Sequence, residues 1–117
     1  MVNAQKMFAT IDRLDAYGFA EFFAEDATAV AGNGDPVLGR PAILAANIAY
    51  MAMLKGIRHV IRSKWTVDDT TIAVTDVTYT RQDDKQVTIP VVSIWRVGED
   101  DLITDFRLYY DLTPVFA

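Results

Sequence analysis

IRHVIRSKWTV, residues 57–67, is the stretch where the spacing of apolar side chains changes from helical steps to strict alternation. Successive side chains of a strand point to opposite faces, so Ile57, His59, Ile61, Ser63, Trp65 and Val67 share one face, while Arg58, Arg62 and Lys64 share the other. Three more blocks of similar length follow: Thr71 to Gln82, Val87 to Val97 and Leu102 to Leu112. The connectors Asp68-Asp69-Thr70, Asp83-Asp84-Lys85 and Gly98-Glu99-Asp100-Asp101 are short and polar, which predicts antiparallel hairpins. Strands this long twist and curl when they pair. The C-terminal half is therefore expected to be a long, curved antiparallel sheet.

Towards the N-terminus the period is helical. Ala4, Met7, Phe8, Ile11 and Leu14 recur at three- and four-residue steps, predicting a helix over 3–14. Asp15 suits the cap of a second short helix over 16–23, whose Phe19, Ala20, Phe22 and Phe23 are too apolar to face water. A short strand over 27–31 then runs into Gly32-Asn33-Gly34-Asp35-Pro36, a dense turn signal. Gly39-Arg40-Pro41 opens a third helix and Gly56 is placed to close it after Lys55. Within that helix Leu44, Ile48, Met51 and Lys55 form one stripe, and Ile43, Asn47, Tyr50 and Leu54 its neighbour. The predicted architecture is one α+β domain over 1–117, with three N-terminal helices packed on the sheet to leave a cone-shaped pocket.

Composition narrows the function classes. At 117 residues and 51% hydrophobic content the chain can bury one core but not two. It has no cysteine, which removes disulfides, thiolate metal sites and cysteine nucleophiles. A net charge of −5 opposes binding to nucleic acid phosphates. One histidine and no repeated acidic cluster argue against a dedicated metal site, and nothing points to a cofactor. With no long apolar run and no basic-then-apolar leader, a cytoplasmic protein without membrane contact is the expectation.

The order helix, helix, strand, helix and four long strands resembles the nuclear-transport-factor-2-like (cystatin-like α+β) superfamily. Specific strings make it similar to the SnoaL-like branch: Phe22-Phe23-Ala24-Glu25-Asp26-Ala27, Gly39-Arg40-Pro41-Ala42-Ile43, Trp95-Arg96, and Leu102-Ile103 leading to Arg107-Leu108-Tyr109-Tyr110-Asp111-Leu112. The resemblance implies a pocket inside the sheet and a range of activities that includes ketosteroid isomerases, polyketide cyclases, limonene-epoxide hydrolases and binding proteins. Fold alone does not choose among them. It also implies where catalytic carboxylates would stand, and here those positions read Ala31, Pro90 and Leu108, with Val74 and Asp76 in place of an arginine–aspartate pair. Steroid-type isomerisation and the usual water-activating triad are thereby disfavoured.

Alternation assigns His59, Asp76, Thr78, Leu108 and Tyr110 to the cone. Imidazole ordinarily titrates near neutrality and a carboxylate can orient it, so His59 and Asp76 are the candidate catalytic pair. The alternative is a buried histidine satisfied by a carboxylate or a carbonyl. Trp65, Tyr50, Met51, Met53 and Tyr110 are either pocket wall or ordinary core, and Asn47, an amide on an apolar stripe, needs a partner that a ligand can supply. Asn47, Tyr50, Trp65, Thr78, Leu108 and Tyr110 are therefore the candidate ligand contacts.

Arg58, Arg62, Lys64, Tyr79, Arg81, Arg96, Arg107 and Tyr109, with Val60 and Val77 among them, are expected on the outer sheet face. That mixture fits a homodimer interface, as the resemblance also implies, against the alternative of solvated charges. Three functional readings follow. The first is a small apolar or polycyclic ligand held in the cone, with chemistry limited to proton transfer by His59 and Asp76. The second is a non-catalytic carrier or partner-binding module, and the third an epoxide hydrolase built around Asp76, Tyr110 and a water.

Overall fold

In a computed structural model, which describes residues 2–117, the chain forms α1 (Ala4–Asp12), α2 (Ala16–Ala20), β1 (Phe23–Ala31), β2 (Val37–Leu38), α3 (Arg40–Ala52), β3 (Leu54–Val67), β4 (Thr70–Arg81), β5 (Gln86–Val97) and β6 (Ile103–Tyr109). A single 3₁₀ turn, Thr113–Val115, ends the chain. The six strands make one sheet in the order β2-β1-β6-β5-β4-β3. Strands β3 to β6 pair as antiparallel neighbours. β1 lies parallel to β6, with Phe23 opposite Ile103 and Ala31 opposite Leu108.

Local chemistry sets the helix limits. The Asn3 side chain accepts from the Lys6 amide at 2.9 Å to start α1, and Leu14 at φ 57° ends the turn that follows it. Asp15 caps α2 through the Gly18 amide at 2.9 Å. α2 stops at Ala20 because Phe22 and Phe23 are drawn into the sheet: the Phe22 carbonyl accepts from the Ile103 amide, and Phe23 is the first residue of β1. Gly39 at φ 90°, a left-handed value that favours glycine, turns the chain into α3 with Pro41 in its first turn. α3 ends at Ala52, short of Lys55. Leu54 is buried as the start of β3, so Gly56 lies in a strand opposite Thr80 and caps no helix.

The helices cover the concave side of the sheet. Ile43 and Met51 of α3 and Met7 and Phe8 of α1 are buried there against Ala73, Val77, Val91, Trp95 and Phe106. Phe8, Trp95, Phe106, Phe19 and Phe23 form a continuous run of edge-on, tilted and stacked rings, with centroids between 5.0 and 6.0 Å apart. On β6 the inward residues are Phe106 and Leu108, with Tyr110 continuing their line, as alternation predicts.

Two registers differ from the sequence reading. On β4 the inward face is Thr71, Ala73, Thr75, Val77 and Tyr79, all buried, so Val74, Asp76 and Thr78 belong to the outer face. On β3 a bulge at Arg62 sets Ile61 opposite Thr75 but Ser63 opposite Val74. The extra residue inverts the alternation beyond it. Trp65, opposite Ile72, is thereby turned outward and is 54% exposed, while Lys64 falls opposite Ala73 on the inner side.

Candidate ligand-binding site

A cavity lies between the sheet and the helices in two adjoining chambers. The outer chamber, about 180 Å³, is walled by Ala29 and Ala31 of β1, Val37 of β2, Ile43 of α3 and Leu108 of β6. Its mouth is near Ala31, which is exposed, and Tyr110. Gly32 sits at φ 57° against the Tyr110 ring, where an added Cβ would come within 3.0 Å of Cε1. Only glycine lets the ring close on the loop at that point.

The inner chamber is about 60 Å³ and reaches Phe8, Ile11, Tyr50, His59, Tyr79 and Ser93. Phe19, Asn47, Tyr50, Phe106 and Leu108 line both chambers and form the boundary between them. No Asp, Glu, Lys or Arg lines either one. Both chambers are thus mostly apolar with a few neutral polar groups or an imidazole set into the wall, the usual form of a small-molecule site.

His59 is held from the N-terminal helix. Its Nδ1 lies 2.6 Å from Asp12 Oδ1, and its backbone N–H donates to both Asp12 oxygens at 3.1 and 3.2 Å. Because a carboxylate only accepts, Nδ1 carries the proton and Nε2 is the nitrogen left without a protein partner. Four residues before Asp12, on the same side of α1, Phe8 stacks on the imidazole at 4.5 Å and 20°. The imidazole side chain is 8% exposed and the Asp12 carboxylate 25%.

The Tyr50 and Tyr79 phenols lie beside it and influence each other's titration. Burial, reinforced by the Tyr79 phenol, pushes the Tyr50 pKa far up; burial likewise pushes Tyr79 up to about 12, against the opposing effect of the neighbouring Tyr50 phenol. Burial also raises Tyr110. These phenols remain neutral hydroxyl groups. The Ser93 hydroxyl is fully buried and finds no hydrogen-bond partner, as is also true of the Trp95 indole N–H. Asn47 donates to the Ile43 carbonyl at 2.9 Å, which satisfies one side of its amide. Among the described residues no three His, Asp or Glu side chains are grouped to hold a metal ion.

Of the residues singled out from the sequence, Asn47, Tyr50, His59, Leu108 and Tyr110 line the cavity. Asp76, Thr78 and Trp65 do not. Asp76 is on the far side of the sheet, ion-paired with Arg62 at 2.7 Å, and Val77 rather than Asp76 stands opposite His59. The expected His59–Asp76 pair is therefore not formed, and the sheet itself separates Asp76 from Tyr110. Thr78 shares a hydroxyl hydrogen bond with Thr88 at 2.8 Å on that same face. Pro90 is also outward, opposite Asp76; the residues of β5 that face inward are Ile89, Val91, Ser93 and Trp95. Ala31 and Leu108 do occupy the cavity wall.

The residue missed in the sequence is Asp12. A carboxylate in the last turn of a helix is opposed by the helix dipole, so its presence next to half-buried Ile11 and one turn after buried Phe8 was a signal that a partner was needed.

The sequence matches the SnoaL-like domain over residues 4–106. The chain belongs to the SnoaL-like domain family. Curated proteins offer no relative similar enough to match. Among solved structures, this SnoaL-like domain is similar to a hypothetical protein with a ketosteroid isomerase-like fold from Catenulispora acidiphila, in complex with trimethylamine. That pair has a TM-score of 0.83 and 19% identity over 92% of this chain and 84% of the other. It is also similar to SalBIII, described as an epoxide hydrolase/cyclase-like enzyme in pyran ring formation in the polyether salinomycin, at TM-score 0.80 and 16% identity over 93% and 88% of the two chains. A putative SnoaL-like polyketide cyclase from a Jannaschia species gives 0.78 and 13% over 96% and 88%. At these identities the structural likeness speaks for the fold. No helix among the described residues is long and apolar enough to cross a membrane.

Proposed function

We propose that this SnoaL-like domain binds a small, largely apolar molecule of one or two rings, with its single polar group at the inner chamber. The observation that carries the reading is the lining of the cavity. Its walls are mostly aliphatic and aromatic and carry no Asp, Glu, Lys or Arg among the described residues, with a few polar side chains set among them: His59, Tyr79 and Ser93 at the inner chamber, Asn47 and Tyr50 at the boundary and Tyr110 at the outer one. A charged ligand would be buried without a counter-charge, which is costly. The two chambers fall below the ~300 Å³ typical of drug-sized sites, so a large polycyclic skeleton is disfavoured.

Calorimetric titration with paired one- and two-ring compounds, each with and without a carbonyl or hydroxyl group, tests this. The carbonyl or hydroxyl member should bind more tightly than its hydrocarbon partner, and neither should bind after Leu108→Trp fills the boundary between chambers. Equal binding by the tryptophan variant would sink the reading.

The outer sheet face supports a homodimer as the working assembly. Ile72 pairs with Ile94 and Val74 with Val92 at its centre, flanked by exposed Val60, Trp65, Val67 and Tyr109. Arg62–Asp76 and Arg107–Asp105 ion pairs lie beside this apolar centre. The composition differs from the sequence expectation in that Tyr79 and Val77 are buried inside, and Arg81 turns to the C-terminal carbonyl groups at Ala117. An apolar centre with an arginine-rich rim is the anatomy of an association surface.

A further inference from the structure

We infer that residues 112–117 act as a latch over the closed end of the inner chamber, in which Val115 is the stop that limits ligand length and Arg81 the pin. The inference rests on the cavity being a ligand site and goes beyond it by naming what sets the length of chain that site accepts. β6 ends at Tyr109, level with Val92, so the first half of β5 has no strand beside it on that side. The chain continues past Tyr110, in the wall of the outer chamber, to the 3₁₀ turn Thr113–Val115. Val115 is fully buried while its neighbours Pro114 and Phe116 are exposed. It belongs to the same apolar cluster as Ile57, Tyr79 and Val91, which line the inner chamber.

Little besides that side chain and one arginine holds the segment. Among the described residues, no backbone hydrogen bond ties it to β5; its own run within residues 111–115, from the Val115 N–H to the Leu112 carbonyl and from the Thr113 N–H to Asp111 Oδ1, each 3.0 Å. The Arg81 guanidinium supplies the link to the sheet. It donates to the Ala117 carbonyl at 2.8 Å and to the Val115 carbonyl at 3.5 Å, while Asp83 accepts from it at 2.9 Å. Arg81 stands two residues after Tyr79 on β4, so the residue that pins the segment and one that walls the chamber share a strand face. A segment without ladder bonds opens at lower cost than the strands it rests on. Opening it withdraws Val115 from the end of the chamber and leaves apolar space for a chain. The ligand class that reads this stop is an aryl ketone with a linear alkyl arm: the ring in the outer chamber, the carbonyl among the neutral polar groups, and the arm directed at Val115.

The test measures the affinities of acetophenone, butyrophenone and hexanophenone by calorimetric titration. Each methylene that finds apolar room tightens binding by about fourfold. For wild type, whose inner chamber is about 60 Å³, the gain should be present at butyrophenone and reversed at hexanophenone. Val115→Ala and Arg81→Gln should bind acetophenone within about twofold of wild type and hexanophenone at least about tenfold more tightly than wild type does. In wild type, the Val115 methyl resonances should move with butyrophenone and stay in place with acetophenone. Those wild-type shifts decide where a variant fails to fold. Hexanophenone bound more tightly than butyrophenone by wild type, an unchanged length limit in variants that bind acetophenone, or Val115 methyl groups unmoved by butyrophenone overturns the latch and leaves the ligand site standing. Absence of acetophenone binding by wild type overturns both.

Discussion

Asp12 and His59, 47 positions apart in the chain, are joined by side chain and backbone at once: Nδ1 to Oδ1 at 2.6 Å, and the His59 amide to both carboxylate oxygens. The contact ties the end of α1 to the inner edge of β3. It also sets the orientation of the one imidazole in the cavity.

Removing the carboxylate leaves a part-buried N–H and a ring nitrogen unpaired. Asp12→Ala is expected to cost about 1.5–3 kcal/mol in urea unfolding, the range for hydrogen bonds to charged groups. Combined with His59→Ala, the loss should fall well short of the sum of the two single losses, because both remove the same contact. Additive losses would mean the pair is not coupled.

Ser93 predicts a change of the opposite sign. Its hydroxyl is buried and unsatisfied, so Ser93→Ala should leave stability unchanged or raise it by about 1 kcal/mol. The same variant should weaken binding of a ketone but not of the matching hydrocarbon. A destabilisation above about 1 kcal/mol would show that the hydroxyl has a partner in the folded state.

The phenols give a pH dependence at the alkaline end. Tyr50 and Tyr79 have pKa values raised above the ordinary 10.0, Tyr79 to about 12, so the folded state keeps protons that the unfolded state releases. Their contribution is fully present below pH 10 and declines as pH rises from 10 through 12. Unfolding midpoints measured from pH 8 to 12 should be flat and then fall, with a smaller fall in Tyr79→Phe. A curve unchanged by Tyr79→Phe would contradict the assignment.

If the outer sheet face is a dimer interface, Trp65→Glu together with Tyr109→Glu should halve the mass seen by light scattering at micromolar concentration without altering the fold. Both side chains are more than half exposed in the single chain, so a charge there has little effect on its core. A monomeric wild type would remove the proposal.

The overall architecture was legible because it depends on period and punctuation. Alternation over the four C-terminal blocks and the Gly39-Arg40-Pro41 start are local signals that survive packing. The strand faces were only half legible. On β4 the apolar Ile72 and Val74 belong to a sheet face that is itself apolar, whereas small Ala73 and Thr75 are inside; Val77 and Tyr79 against Asp76 and Thr78 carried the correct register. Beyond Arg62, a single bulge turned Trp65 outward, and nothing in the alternation announces an extra residue. The partner of His59 comes from another element 47 positions away, and long-range pairs of this kind are settled by tertiary packing, not by spacing.

The most direct test of the account is a methyl NMR titration of the wild-type protein with 1-indanone. The cavity reading predicts that shifts concentrate on Val37, Ile43, Ile57 and Leu108, which line the two chambers, while the outer-face methyl groups of Ile72, Val74, Val92 and Ile94 stay in place. Shifts concentrated on those outer-face residues, with the chamber methyl groups unmoved, would contradict it.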